Sequence, residues 1–251
     1  MEHFLFLFGA GLLGALMNAL AGGGSFVTLP ALIAVGVPSV QANASSTVAL
    51  WPGGAASAWT YHEGRQPICG IPMGPLLGVT LAGGFAGSLL LLWTPSSSFN
   101  VILPWLLLLA TLALAFGRRI GPALQGRLNG RRGPVALIQF ALGVYGGYFG
   151  GAVGLMMVAA WSALGEREIK KLNGPRTLLV SAANTIAVVT FALAGAVRWP
   201  ETLAMLVGGL AGGIAGAKIG RAVPANVARV ATLIWTAAVT LVFFARAYLV
   251  G

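Results

Sequence analysis

Ala21-Gly22-Gly23-Gly24-Ser25-Phe26-Val27-Thr28-Leu29-Pro30 interrupts an apolar run that reaches from Phe4 to Val37. Glycine in a helix interior costs roughly 1 kcal/mol against alanine, so three in succession predict a break. Lipid offers no partner for the N–H and C=O groups that a break sets free. Such a break therefore persists only where its backbone is buried in protein or lines a cavity. The stretch is a candidate substrate site on that ground alone.

The rest of the chain supplies the membrane context. It has 251 residues, 57% hydrophobic and 8% charged, with a mean hydropathy of +0.88. Soluble domains carry about 25% charged residues, so this is a polytopic membrane protein. The net charge of +10 sits in short connectors between apolar runs, where it reports topology rather than nucleic-acid binding. One cysteine, Cys69, excludes an internal disulfide, a thiol relay or a multi-cysteine metal cluster. The opening Met-Glu-His-Phe-Leu lacks a basic n-region, so no removable signal peptide is expected. Residues 1–251 read as a single transmembrane domain in which the lipid bilayer is the solvent.

An internal repeat is visible. At one constant offset Gly24 matches Gly154, Asn43 matches Asn173 and Thr47 matches Thr177. At an offset shorter by one residue, Gly83, Gly84, Gly87 and Pro95 match Gly212, Gly213, Gly216 and Pro224. The expected organisation is a first repeat over about 1–117, a basic linker over about 118–134 and a second repeat over about 135–251. Charge tests their orientation. If each glycine-broken pair (4–20/25–37 and 135–149/152–164) were one crossing, the halves would be parallel and the basic residues would divide almost evenly between the faces. If each pair is a re-entrant hairpin, the halves are inverted. All of the 15 Lys and Arg residues except Arg198 and Arg246 then fall on the linker's side. The positive-inside rule selects the second arrangement and places that side in the cytoplasm. The predicted fold is all-α: two inverted repeats, each a glycine-broken helix pair plus three spanning helices, a recurrent transporter plan.

The candidate site follows. Gly22, Gly23, Gly24 and Ser25 precede an apolar helix, and Gly151 and Gly154 hold the equivalent place in the second half. Free N–H groups at such a start favour an anion; the competing reading is close helix packing through small residues. Asn43 with Thr47 and Asn173 with Thr177 lie four apart, each pair on one helix face. With Ser46 they are candidate neutral donors, against a reading as helix caps. Arg176 enters an apolar helix, either to pair with an anion or to snorkel.

The absences matter as much. The five acids, Glu2, Glu63, Glu166, Glu168 and Glu201, all fall at a terminus or in connectors, and there is no Asp. A membrane core without carboxylates leaves a cation unpaired but not an anion, so the expected partner is a small anionic substrate. His3 and His62 are too few and too peripheral for a metal or a Ser–His pair, and no cofactor is called for. The tryptophans mostly read as an interfacial belt; Trp51 and Trp161 are also close enough to the candidate site to line it, with the belt the favoured role. Gly83/Gly87 and Gly212/Gly216 read as packing faces.

The decapeptide at Ala21, with Val37-Pro38 and Ala42-Asn43-Ala44-Ser45-Ser46-Thr47, resembles the sulfite exporter TauE/SafE family of membrane permeases. So does the second copy, Gly150 to Gly154 followed by Asn173-Gly174 and Thr177, with Gly-Gly-x-x-Gly in each half. The resemblance covers essentially the whole chain. It implies a multi-pass carrier of the bacterial inner (plasma) membrane that moves sulfite, organosulfonates or related small anions. Two departures stand out: Ala160 replaces Pro30, and Pro175-Arg176 replaces Ser45-Ser46. The halves of any site are thus chemically unequal. A non-transporting assembly or signalling subunit and an anion channel are the alternatives; an enzyme lacks its nucleophile–base pair, paired Asp or metal motif.

Overall fold

The computed structural model describes residues 2–60, 66–123, 132–166, 172–219 and 224–249. These residues form ten helices: α1 (Glu2–Ala21), α2 (Ser25–Ala34), α3 (Ser39–Thr60), α4 (Met73–Trp93), α5 (Ser96–Ala123), α6 (Arg132–Tyr148), α7 (Val153–Ala163), α8 (Asn173–Leu193), α9 (Trp199–Ile219) and α10 (Ala225–Tyr248). The protein is all-helical, with one isolated two-residue bridge between Ile68 and Ile71. Five helices, α1, α4, α5, α8 and α10, are long and apolar enough to cross a membrane. α3 has the length but carries Gln41, Asn43, Ser45, Ser46 and Thr47 in its first turns, a composition suited to lining a polar site.

Glycine sets the closest seams. A Cβ on Gly208 or Gly212 of α9 would collide with the carbonyl of Phe8 or Leu12 on α1. On α4, Gly83 and Gly87 meet the carbonyls of Phe140 and Val144 on α6 in the same manner. These contacts advance together, so α1 runs parallel to α9 and α4 to α6. The packing reading of these glycines holds. Elsewhere the directions oppose. Trp51 Nε1 donates to Thr185 Oγ1 at 2.8 Å, and the Arg198 N–H donates to Ser45 Oγ at 2.9 Å, so α3 and α8 are antiparallel. Trp105 reaches Tyr248 at 2.9 Å and Thr111 reaches Thr240 at 3.1 Å, so α5 and α10 are antiparallel too. Pairings recur with the halves exchanged: α1 on α9 and α6 on α4, α3 on α9 and α8 on α4, α1 on α2 and α6 on α7.

Each glycine break folds its helix back. A Cβ on Gly14 of α1 would stand 2.6 Å from Thr28 Cγ2 and 3.2 Å from the Gly24 carbonyl oxygen, so α2 returns along α1. The arms differ more than the sequence suggested. α1 has 20 residues and α2 only 10; at 1.5 Å per residue a nearly full-length helix is answered by a half-length one. The linker's centre and the connectors bearing Arg65, Arg167, Lys170, Lys171 and Arg221 lie outside the described residues.

Candidate functional site

The two breaks leave backbone donors unspent. In the first, Gly22 has φ +81° and its N–H returns to the Asn18 carbonyl at 3.0 Å. The next three N–H groups, of Gly23, Gly24 and Ser25, make no backbone bond to the described residues other than Ala21. In the second, the N–H groups of Phe149 and Gly150 share the Tyr145 carbonyl. Gly150 has φ +77° and Ala152 φ +57°, which swings the chain into α7. The N–H groups of Gly151, Ala152, Val153 and Gly154 make no backbone bond among the described residues. First-turn amides are orphaned at any helix start; here both sets lie inside the helical bundle, where an anion can take them up.

α3 is wedged between the two breaks. On one side Ser46 Oγ lies 2.6 Å from Thr28 Oγ1 of α2, and Thr28 also donates to the Gly24 carbonyl at 3.2 Å. On the other side Asn43, 2% exposed, donates from Nδ2 to the Tyr148 carbonyl at 2.8 Å. Thr47 lies one turn along, near Gly150: a methyl group placed on Gly150 would stand 4.0 Å from Thr47 Oγ1. The Asn-x-x-x-Thr pattern has a local cause in both halves. Thr47 donates to the Asn43 carbonyl at 2.9 Å, and Thr177 to the Asn173 carbonyl at 2.7 Å. Such back-bonds bend helices slightly. Capping by Asn173 is not observed, because the N-cap of α8 is Leu172, without a side-chain cap bond.

The second-half residues gather less tightly. Asn173 is exposed and Thr177 half-buried, so the structure places both at the linker end of α8, apart from Asn43 and Thr47. The stem of Arg176 lies along Gly154, where a Cβ would come within 3.3 Å of its Cδ. Arg176 thereby flanks the start of α7, as Ser46 flanks the start of α2.

Three features escaped the sequence reading. Trp161 is 1% exposed rather than interfacial, and its Nε1 donates to Gln139 Oε1 at 3.0 Å. Gln139 Nε2 in turn donates to Thr80 Oγ1 at 2.8 Å. Trp235 donates to the Phe26 carbonyl at 3.1 Å, and Trp51 ties α3 to α8. An indole needs a partner for its N–H wherever it is buried, which outweighs the belt tendency for Trp161; Trp51 is half-buried and Trp235 stays 47% exposed. The third feature is Asn184 on α8, whose Oδ1 is buried without a hydrogen-bond partner. No duplicate flags it, because its counterpart in the first half is Gly54.

On the linker face, the turn at Cys69-Gly70 rests against the loop after α7. The Cys69 N–H donates to Glu166 Oε1 at 2.5 Å. Burial first, then the Glu166 charge and hydrogen bond, push the Cys69 thiol up from 9.0 to about 11. On the opposite face Arg198 pairs with Glu201 at 3.6 Å.

Comparison with known proteins adds identity to this geometry. The family model described as "Sulfite exporter TauE/SafE" matches residues 7–243. The "Probable membrane transporter protein YfcA" of Escherichia coli K12 is 29% identical over 215 residues, covering 85% of this chain and 79% of its own. A "Probable membrane transporter protein" of Haemophilus influenzae is 26% identical over 219 residues, covering 85% and 83%. "Probable membrane transporter protein ORF9" of Sinorhizobium sp is 26% identical over 228 residues, covering 90% and 86%. No solved structure matches.

Proposed function

The chain belongs to the sulfite exporter TauE/SafE family of membrane transporters, and from that premise we propose that it carries a small sulfur oxyanion, sulfite or an organosulfonate, across a bacterial inner membrane by alternating access. The observation that carries this reading is the pair of glycine breaks. Each turns unspent backbone N–H groups into the bundle, and α3 stands between them with Asn43 and Thr47 on one side and Ser46 on the other. Among the described residues the helices hold acids only at Glu2 and Glu201, near helix starts. The charge that suits the interior is therefore negative. Neutral donors hold an anion without trapping it, which a carrier needs in order to release.

Inverted halves supply the movement. Equivalent helices that touch, α3 with α8 and α5 with α10, run antiparallel, as inversion requires and a parallel duplication does not. A re-entrant reading of α1–α2 puts the basic connectors on one face, which is then cytoplasmic. Rocking one half against the other around a fixed site exposes it to each face in turn.

The test is sulfite flux into proteoliposomes. Asn43→Ala, which removes the second N–H of an amide already holding the Tyr148 carbonyl, is expected to insert normally and to lower flux by about tenfold, the scale of one lost hydrogen bond to a charged group; Thr47→Val, whose hydroxyl is held on the Asn43 carbonyl, should lower it by less. Wild-type flux in both would remove these side chains from the site. A fully active wild type that conducts without saturation would favour a channel instead.

A further inference from the structure

We infer that Trp235 of α10 is a positioning residue for the substrate, its indole N–H fixing the amide-bearing stretch Gly23-Gly24-Ser25 of the first break; the inference rests on the anion-carrier reading above. Pro30 stands inside α2. A proline in a helix interior removes the N–H that would bond the carbonyl four residues earlier, here that of Phe26. Lipid offers such a carbonyl no partner, so a neighbouring helix has to supply one. Trp235 Nε1 does so at 3.1 Å, the one hydrogen bond between α10 and α2 among the described residues. A second contact lies three residues back on both elements: a methyl group placed on Gly23 would stand 2.9 Å from Thr232 Cγ2. Gly23 with Thr232 and Phe26 with Trp235 advance together, so the two stretches run side by side in one direction. α10 therefore holds both ends of the segment that carries the Gly23, Gly24 and Ser25 amides.

The second half is built without this tie. The counterparts of Gly23, Phe26 and Pro30 are Val153, Met156 and Ala160, and those of Thr232 and Trp235 are Leu103 and Leu106. Ala160 keeps the N–H that Pro30 lacks, so α7 can close on its own Met156 carbonyl. α7 also packs closely along α5, whereas α2 meets α10 at few points. Apolar packing thus holds the second amide stretch, and one directed bond holds the first. The proline and the indole that answers it both belong to the first break, and neither has a counterpart at the second. Hydrogen bonds from amides to an anion weaken steeply as they tilt, and a binding constellation has to be held within about 0.5 Å of its working geometry. Glycines offer the chain little resistance to rotation, so the stretch from Gly22 to Gly24 takes its direction from what grips its ends. Trp235 acts on the anion through that backbone and touches no substrate itself.

The experiment is calorimetric binding of sulfite and methanesulfonate to the purified wild type, to Trp235→Phe and to the double variant Pro30→Ala/Trp235→Phe, with the ligand-free melting temperature of each. Trp235→Phe keeps an aromatic ring and removes the N–H. It is expected to melt lower, because the Phe26 carbonyl loses its donor, and to bind sulfite about tenfold more weakly, the scale of one misaligned hydrogen bond to a charged group. In the double variant the N–H restored at position 30 meets the carbonyl from within α2. Its melting temperature should recover while its sulfite affinity stays about tenfold down, since α2 is no longer tied to α10. A role confined to satisfying the carbonyl would restore both together. Wild-type sulfite affinity in Trp235→Phe overturns the inference, and so does recovery of affinity along with melting temperature in the double variant. Either result leaves the anion-carrier reading in place, because the wild type still binds the anion. Where Trp235→Phe is too unstable to purify, the double variant carries the test alone. A wild type that binds neither anion overturns both readings.

Discussion

Asn43 and Asn173 hold the same place in the two halves and live in opposite surroundings. Each carries a threonine four residues on that donates to its carbonyl, so the helix around them is built alike. Asn43 is buried and holds the Tyr148 carbonyl across the halves, whereas Asn173 is exposed. The reason lies in the helices they face. α6 stops at Tyr148 and leaves that carbonyl without a backbone donor among the described residues. α1 continues to Ala21, and the equivalent carbonyl, of Asn18, is met by the Gly22 N–H. One helix end is satisfied by a residue from the other half, and its counterpart by its own chain. The contact that links the halves at Asn43 thus has no equivalent at Asn173 among the described residues.

If the halves share one architecture, their packing glycines should fail together. Gly83→Leu and Gly212→Leu each drive a side chain into the backbone of the facing helix. Both are expected to destabilise by about 3 kcal/mol or more and to abolish recovery of monodisperse protein. Failure of only one would break the equivalence. The faces are expected to differ chemically as well. With its thiol pushed up to about 11, Cys69 stays protonated at mildly alkaline pH, and the thiolate needed for alkylation is scarce. Its reaction with iodoacetamide should run on the order of 10–100 times more slowly than that of an ordinary exposed thiol, and speed up as pH rises through the folded-state value. Glu166→Gln should recover only part of the rate, because burial is the larger cause. Full recovery would mean that the carboxylate alone holds the thiol.

The Asn pair itself gives a smaller effect. Asn43→Ala strands a buried carbonyl and should lower stability by about 1–2 kcal/mol, read as a shift in melting temperature. Asn173→Ala should change it by no more than about 0.5 kcal/mol. Equal losses would show that Asn173 is buried against a partner in the protein as it exists in detergent, and the buried-versus-exposed contrast would go.

How far the sequence could be read follows from the same comparison. The breaks and the helical segmentation were legible because glycine runs and apolar stretches leave a signal in any single chain. The length of α1 was not, since continuation past Leu20 is decided by whether Gly22 can close on Asn18. The tryptophans misled because belt and core positions share the same apolar neighbours in sequence. Only its burial and its partner Gln139 set Trp161 apart. Asn184 was invisible for a related reason: a polar residue present in one half alone has no echo to mark it.

The finest test sits at the breaks. Gly22 and Ala152 are equivalent positions, and both adopt left-handed backbone, at φ +81° and φ +57°. Glycine takes that conformation without strain, while alanine pays about 1 kcal/mol or more. Restoring glycine also loosens the unfolded chain, which returns about 0.4–1 kcal/mol of the gain. Ala152→Gly should therefore stabilise the protein by about 0.5 kcal/mol or less. By the same arithmetic in reverse, Gly22→Ala should destabilise by about 0.5 kcal/mol or less. A methyl group at Gly22 would meet no atom within 4 Å, so that loss would be purely conformational. A Gly22→Ala that stabilised the protein would mean that the first break is not held left-handed, and the two turns that present the amides would no longer be the same device.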